Sequence, residues 1–475
     1  MAGRRAGSGV VSGYGLVAGL TGLSAALFLV HAGGVLNFGF PVLATAVAAV
    51  LFVTRRSVYA AFVWWIWLFT PLVRRLVDYQ SSYHNISPVM VTPLLVTGFA
   101  LVAILLRPWF ILHRRMAPFL LVLLALVLAL VVGVITNGAL PAVYDFASWL
   151  LPLAFAVFLM MYPSEFAEMQ AELMFAITLG LVLIAGYGLY QFYHIPPWDA
   201  FWINASQFTT AGLAQDEEVR LFGPLNSPGP YAIALMASLV FVLVAKGPMR
   251  LVGGALGFPA FLLSLVRSAW GGWALAALFI VWRVGGKTRL RILVAGFVIA
   301  VAAVPLVTVG PVANAISARF ATLNNVQQDS SFQSRQALYE STTITAFEQP
   351  IGTGLGQFGL ASKLTTGQTT VFDSGVLQIP FEFGWVGGGL LLWAMGAFVL
   401  RVLAVTRMSA DRMAIAGGGL FIALLLQNIF SSTFSGVTGI SLWTGLALAL
   451  GPVTVSSAAV AAATDQGRAQ SRQLA

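Results

Sequence analysis

Long apolar runs alternate with short polar breaks along almost the whole chain. A helix needs about 20 mostly apolar residues to cross a hydrocarbon core of about 30 Å. Roughly fourteen runs fit that template, near 10–31, 35–53, 57–73, 87–106, 117–135, 141–161, 172–193, 230–245, 251–266, 269–283, 291–311, 375–400, 413–431 and 437–455. Arg267 interrupts the pair across 251–283, so the expectation is 12–14 crossings. The pattern predicts an all-α, polytopic membrane protein forming one integral membrane domain over 1–475. Two longer polar stretches, 194–229 and 312–374, break the alternation. Within the second, Ala337, Leu338, Ile344 and Phe347 recur near helical spacing. They predict an amphipathic helix over 333–347 lying on the membrane face. Residues 456–475 read as a disordered tail.

Composition agrees with that pattern. Of 475 residues, 59% are hydrophobic and 9% charged, against about 45–50% and about 25% in soluble domains. A soluble enzyme, a disordered chain and a secreted disulfide scaffold are excluded. The chain has 0 Cys, which removes disulfides, thiolate nucleophiles and thiolate metal sites.

Charge sets the orientation. Short cytoplasmic loops are enriched in Lys and Arg. Alternating from a cytoplasmic N-terminus puts 18 of the 25 Lys and Arg inside and makes both termini cytoplasmic. This bias accounts for the net charge of +9, so the charge gives no reason to expect nucleic acid. The inside loops are too short for a nucleotide-binding fold. Arg74, Arg75, Arg220, Arg267, Arg319, Arg335 and Lys363 fall outside, against the rule. Both long polar stretches also fall outside, and loops of this kind commonly carry function.

The first stretch holds His194-Ile-Pro-Pro-Trp-Asp199-Ala-Phe-Trp202 and Asp216-Glu-Glu-Val-Arg220-Leu-Phe-Gly-Pro-Leu-Asn226-Ser-Pro-Gly-Pro-Tyr231. Its aromatics suit an interfacial belt or stacking on sugar rings. Arg220 suits a snorkelling headgroup contact or a bidentate anion ligand. Asp216 to Glu218 would pair with it, hold a cation, or simply be solvated. Arg267 lies among apolar residues, where an ionisable group is a functional candidate by default; a short re-entrant connection is the plainer alternative. Arg74 and Arg75 precede Asp78 by four and three residues. They suit a structural ion pair or lipid-phosphate contact.

In the second stretch Arg335 and Tyr339 share a helix face. Gly354, Gly356 and Gly359 spell a G-x-G-x-x-G run. The dinucleotide reading of that run needs a strand before it and a helix after it, so a tight turn is expected instead. Asp373 is placed either to cap the next span or to act as a general base. Glu382 lies about two turns deeper, where an unpaired carboxylate is costly. It would pair with an Arg or serve as a second catalytic carboxylate. Asp145 is a further carboxylate at membrane depth, without an obvious partner. His31, His84, His113 and His194 are dispersed, and no metal site is expected.

Taken in order, Arg220 through Asn226-Ser-Pro-Gly, Val266-Arg267-Ser-Ala, Ser334-Arg335, Gln349-Pro-Ile-Gly-Thr-Gly-Leu-Gly356 and Asp373-Ser-Gly-Val-Leu-Gln…Glu382-Phe-Gly resemble the O-antigen ligase/polymerase superfamily. The resemblance covers about 190–390. It implies a glycosyltransferase on the periplasmic face of the bacterial inner membrane. The donor would be an undecaprenyl-diphosphate-linked glycan and the acceptor a second glycan. Membrane lipid and a chain-length regulator or other assembly proteins would be further partners. Arg220, Arg335 and Arg267 would hold the diphosphate, with Arg74, Arg75 and Tyr339 in support. Asp373 and Glu382 would be the catalytic carboxylates, and the transfer would be metal- and cofactor-free and inverting. The position of the ligase histidine falls on Asp373-Ser374, a departure that suits a Wzy-type polymerase. A ligase acting on a lipid or protein acceptor, and a secondary transporter, are the alternatives.

Overall fold

The computed structural model describes residues 3–207, 209–294, 296, 348, 350–367 and 374–451. Its helices are α1 (Gly3–Leu29), α2 (Leu36–Thr54), α3 (Arg56–Gln80), α4 (Thr92–Leu106), α5 (Pro108–Ile111), α6 (Ala117–Thr136), α7 (Ala139–Met161) and α8 (Phe166–Tyr193). They continue with α9 (Pro197–Ser206), α10 (Pro228–Val242), α11 (Met249–Leu263), α12 (Arg267–Arg283), α13 (Lys363–Thr366), α14 (Gly375–Met408) and α15 (Arg412–Gln427), then α16 (Gly436–Gly451). The protein is an all-α polytopic membrane protein. Among the described residues, 7 helices are long and apolar enough to cross a membrane, and several shorter apolar ones accompany them. Every predicted span meets a helix except 291–311, which lies largely outside the described residues. The predicted helix over 333–347 and the tail 456–475 lie wholly outside them.

α14 packs on α6, α3 on α8, α8 on α11, and α12 on α15. α10 is buried among α8, α11, α12 and α15. On the periphery, Phe38, Val42, Ile135, Trp393 and Leu400 are exposed. That is expected of a surface whose solvent is hydrocarbon. Between helices, polar side chains bond to backbone or to each other: Trp65 Nε1 donates to Ala176 O at 2.9 Å and Trp67 Nε1 to Thr97 Oγ1 at 2.9 Å.

Helix direction defines two ends. α3, α6, α8, α11 and α15 finish at one end, where α4, α7, α10, α12, α14 and α16 begin. The stretch 194–229 leaves from this end and residues 350–356 bond to helices there, so it is called the site end below. The opposite end carries Arg55, Arg56, Arg107, Arg114, Arg115, Arg283, Arg401 and Arg407.

α14 is broken at Gly384, whose φ of 63° and ψ of −164° are non-helical. A broken helix in a bilayer must have its freed backbone groups bonded again. The glycine loop does this. Thr353 N donates to Phe381 O at 2.8 Å, Gly354 N to Glu382 O at 3.0 Å, and Trp385 N to Pro350 O at 2.9 Å. α6 clamps the loop from the other side. Leu355 N donates to Ala129 O at 3.0 Å. Asn137 Nδ2 donates to Thr353 O at 3.0 Å and to Leu355 O at 2.9 Å. Backbones approach so closely that a Cβ at Gly354, whose φ is 75°, would overlap Gly133. The expected tight turn is thus a buried wedge between α6, α7 and α14. Gly354 and Gly356 serve this packing, whereas a Cβ at Gly359 would meet nothing; among the described residues no strand precedes the run.

Gly354→Ala should lower stability by more than the about 1–2 kcal/mol of left-handed backbone alone, because the overlap with α6 adds to it. A Cβ at Gly389, in the same helix α14, meets nothing, so Gly389→Ala should leave the melting temperature of the purified protein unchanged. Equal melting of both variants would contradict the wedge.

Candidate active site at the loop-bearing end

The C-terminal end of α3, at the site end, anchors the first polar stretch. Arg75 is fully buried and pairs with Asp199 of α9 at 2.5 Å. It also donates to Gly223 O at 2.6 Å and stacks 4.8 Å from the Phe222 ring. The other carboxylate oxygen of Asp199 accepts from Tyr187 at 2.8 Å and Gln191 at 2.5 Å. Gln191 Oε1 then accepts from the backbone N–H groups of Phe222 and Gly223 at 3.1 and 3.0 Å. Charged hydrogen bonds of this kind are strong when buried. They fix the path of residues 194–229, and they leave Arg75 a structural cation inside the network.

Arg74 forms the expected pair with Asp78 at 3.3 Å. Its guanidinium donates to His84 O at 2.6 Å and lies 4.7 Å from the Trp202 ring. His84 Nδ1 is 3.4 Å from the other oxygen of Asp78. Lys363 of α13 approaches this group. Burial, and then the charge of Arg74, pulls its ammonium below the ordinary lysine range, with Asp78 opposing.

Arg220 marks a second assembly. Its guanidinium donates to Thr210 O at 3.1 Å and to Ser264 O and Leu265 O at 3.4 and 3.3 Å. Leu221 N donates to Leu263 O at 3.4 Å. The loop is thereby fastened to the break between α11 and α12. At that break Leu265 takes a left-handed φ of 55°, and Arg267 opens α12. The arginine is half-buried at this helix N-terminus. Asp216 instead accepts from Ile195 N at 2.8 Å.

α15 joins this break to the start of α14. Gln427 donates to Ser268 Oγ at 2.7 Å, and the next residue, Asn428, accepts from Val376 N at 3.2 Å. The neighbours of Arg267 and of Asp373 are therefore held by adjacent residues of one element. Ser374 caps α14, accepting from Leu377 N at 3.3 Å, so the cap expected at Asp373 falls one residue later. Asp373 itself, Arg335 and Tyr339 lie outside the described residues.

Below the cap sit two carboxyl groups. Glu382 is fully buried and accepts from Gln378 Nε2 at 2.9 Å. Among the described residues its Oε1 has no hydrogen-bond partner. Asp145 of α7 accepts from Gly356 N at 2.9 Å and lies within electrostatic range of Glu382. The glycine wedge thus bonds both to the backbone of Glu382 and to the side chain of Asp145. No arginine pairs with Glu382 among the described residues. Nor do three or more His, Cys, Asp or Glu side chains gather there as a metal site would require.

Residues 252–392 match the Wzy_C family, described as O-Antigen ligase. Over this segment the chain is similar to the O-antigen ligase/polymerase superfamily. No curated protein matches the chain. The matched segment carries Arg267, Arg335, the glycine wedge, Asp373 and Glu382; Arg220, Arg74 and Asp145 lie before it. That similarity supports a membrane enzyme of the glycosyl-transferring ligase/polymerase type. The roles of Asp199, Gln191 and Asn137 are not visible in the sequence, because only tertiary contact reveals their partners.

Asp199→Asn should cost about 3–5 kcal/mol, the usual penalty for stranding one member of a buried ion pair. Thermal melting of the purified protein measures this. A shift no larger than that of an exposed control such as Glu217→Gln would contradict the anchoring network.

Proposed function

We propose that the protein is a polysaccharide polymerase that transfers a growing glycan from undecaprenyl diphosphate to the next lipid-linked repeat. The site end would face the periplasm, with both termini in the cytoplasm of a bacterial inner membrane. The observation that carries the reading is the assembly of Arg220 and the Arg267 helix start with the head of α14, joined through Gln427 and Asn428. Guanidinium groups match diphosphate oxygens in geometry and charge.

In this reading a hydroxyl of the acceptor sugar attacks the anomeric carbon of the donor. A new C–O bond forms as the bond to the diphosphate oxygen breaks. Undecaprenyl diphosphate leaves with the electron pair, and a single displacement inverts the anomeric centre. Arg220, Arg267 and Arg335 hold the diphosphate and stabilise its growing charge, the kind of preorganised electrostatics that often dominates catalysis. Asp373 takes the hydroxyl proton. Glu382, buried and with one oxygen lacking a hydrogen-bond partner among the described residues, is the second carboxylate. The ligase reading draws support from the description of the matched family. The Asp373-Ser374 pair at the position of the ligase histidine supports the polymerase.

Arg335→Ala and Arg267→Ala should each reduce polymer by about 100-fold or more, the scale for loss of one charge-stabilising donor. The check is the glycan ladder of a deletion strain complemented by each variant, at equal protein level. Chains of wild-type length from Arg335→Ala would contradict the assignment.

A further inference from the structure

At the end of the bundle opposite the glycine wedge, α12 and α14 part around a cleft of about 550 Å³. Trp282, Arg283, Leu403, Ala404 and Arg407 line it. Both helices begin beside the candidate site, so this cleft lies a full helix length from it. Three features give it an anion-binding character. Arg283 lies 4.1 Å from the Trp282 ring and donates through one nitrogen to Leu403 O at 3.3 Å. Its Nε is buried without a partner among the described residues. Arg407 is exposed and makes no hydrogen bond or ion pair among the described residues. The carbonyls at the C-terminus of α12 would repel an anion, but Arg289 covers them, donating to Val281 O at 2.9 Å, Trp282 O at 3.4 Å and Val284 O at 3.3 Å. The nearest carboxylate along the chain, Asp411, is engaged as the cap of α15, accepting from Met413 N at 2.9 Å.

We propose that this cleft binds the headgroup phosphate of an anionic phospholipid. Arg283 and Arg407 are the ligands, and the exposed Trp282 lies along the glycerol and upper acyl chain. A basic pocket between membrane helices at the arginine-rich face is suited to such headgroups. An indole at that depth favours the interface. The apolar Leu403 and Ala404 between the two arginines fit a lipid better than a free anion.

Native mass spectrometry of the purified full-length protein, titrated with phosphatidylglycerol or phosphatidylcholine, tests this. Phosphatidylglycerol should bind more tightly. Arg407→Ala should weaken its first binding event about fivefold, the scale for one arginine at an anionic headgroup. Arg407→Glu should weaken it further. Arg412→Ala, an exposed arginine at the same end but outside the cleft, should leave it unchanged. Unaltered melting temperatures will show that the variants fold. Equal binding of the two lipids, or an equal loss in Arg412→Ala, would overturn the proposal. Displacement of the lipid by inorganic phosphate at matched concentration would assign the cleft to a free anion and overturn it as well.

Discussion

The break in α14 is the constraint on which the site depends. Helix α14 cannot continue through Gly384, and a bilayer supplies no water to the groups it frees. The loop 350–356 supplies the partners instead, bonding to Phe381 O, Glu382 O and Trp385 N. The same loop donates Gly356 N to Asp145. One backbone repair thus sets the depth of two carboxyl groups and holds α7 against α14. Glycine is required because α6 touches the loop backbone to backbone. Asn137 finishes the clamp by donating to two loop carbonyls.

A second fixed point is the Arg75–Asp199 network. It pins the stretch 194–229 to α3 and α8, and that pinning lets Arg220 reach the α11–α12 break. The two rigid devices do different jobs. The glycine wedge places carboxylates, and the arginine network places a cation. Neither device consumes Glu382 Oε1, which stays without a partner among the described residues.

Helical segments were legible because a membrane imposes length and hydropathy on each span. The Arg74–Asp78 pair was legible because it is local, four residues apart. Arg75 was only half legible. Its charge stood out on the wrong side of the membrane, but its partner lies 124 residues away. The glycine run showed that a turn was needed and said nothing of the broken helix it repairs, because that contact spans α6 and α14. Asp145 was visible as a misplaced carboxylate, and its neighbour Glu382 was equally visible. Nothing in either segment links the two. Asp373 was read as either a cap or a general base, and Ser374 is the residue that caps α14.

The most direct measurement is the length distribution of surface and lipid-linked glycans in cells lacking this protein. The polymerase account predicts that long chains vanish while single repeats persist on undecaprenyl diphosphate. Long chains accumulating on undecaprenyl diphosphate, unattached to a final carrier, would contradict polymerisation and make the protein a ligase. An unchanged profile would contradict glycosyl transfer at this site altogether.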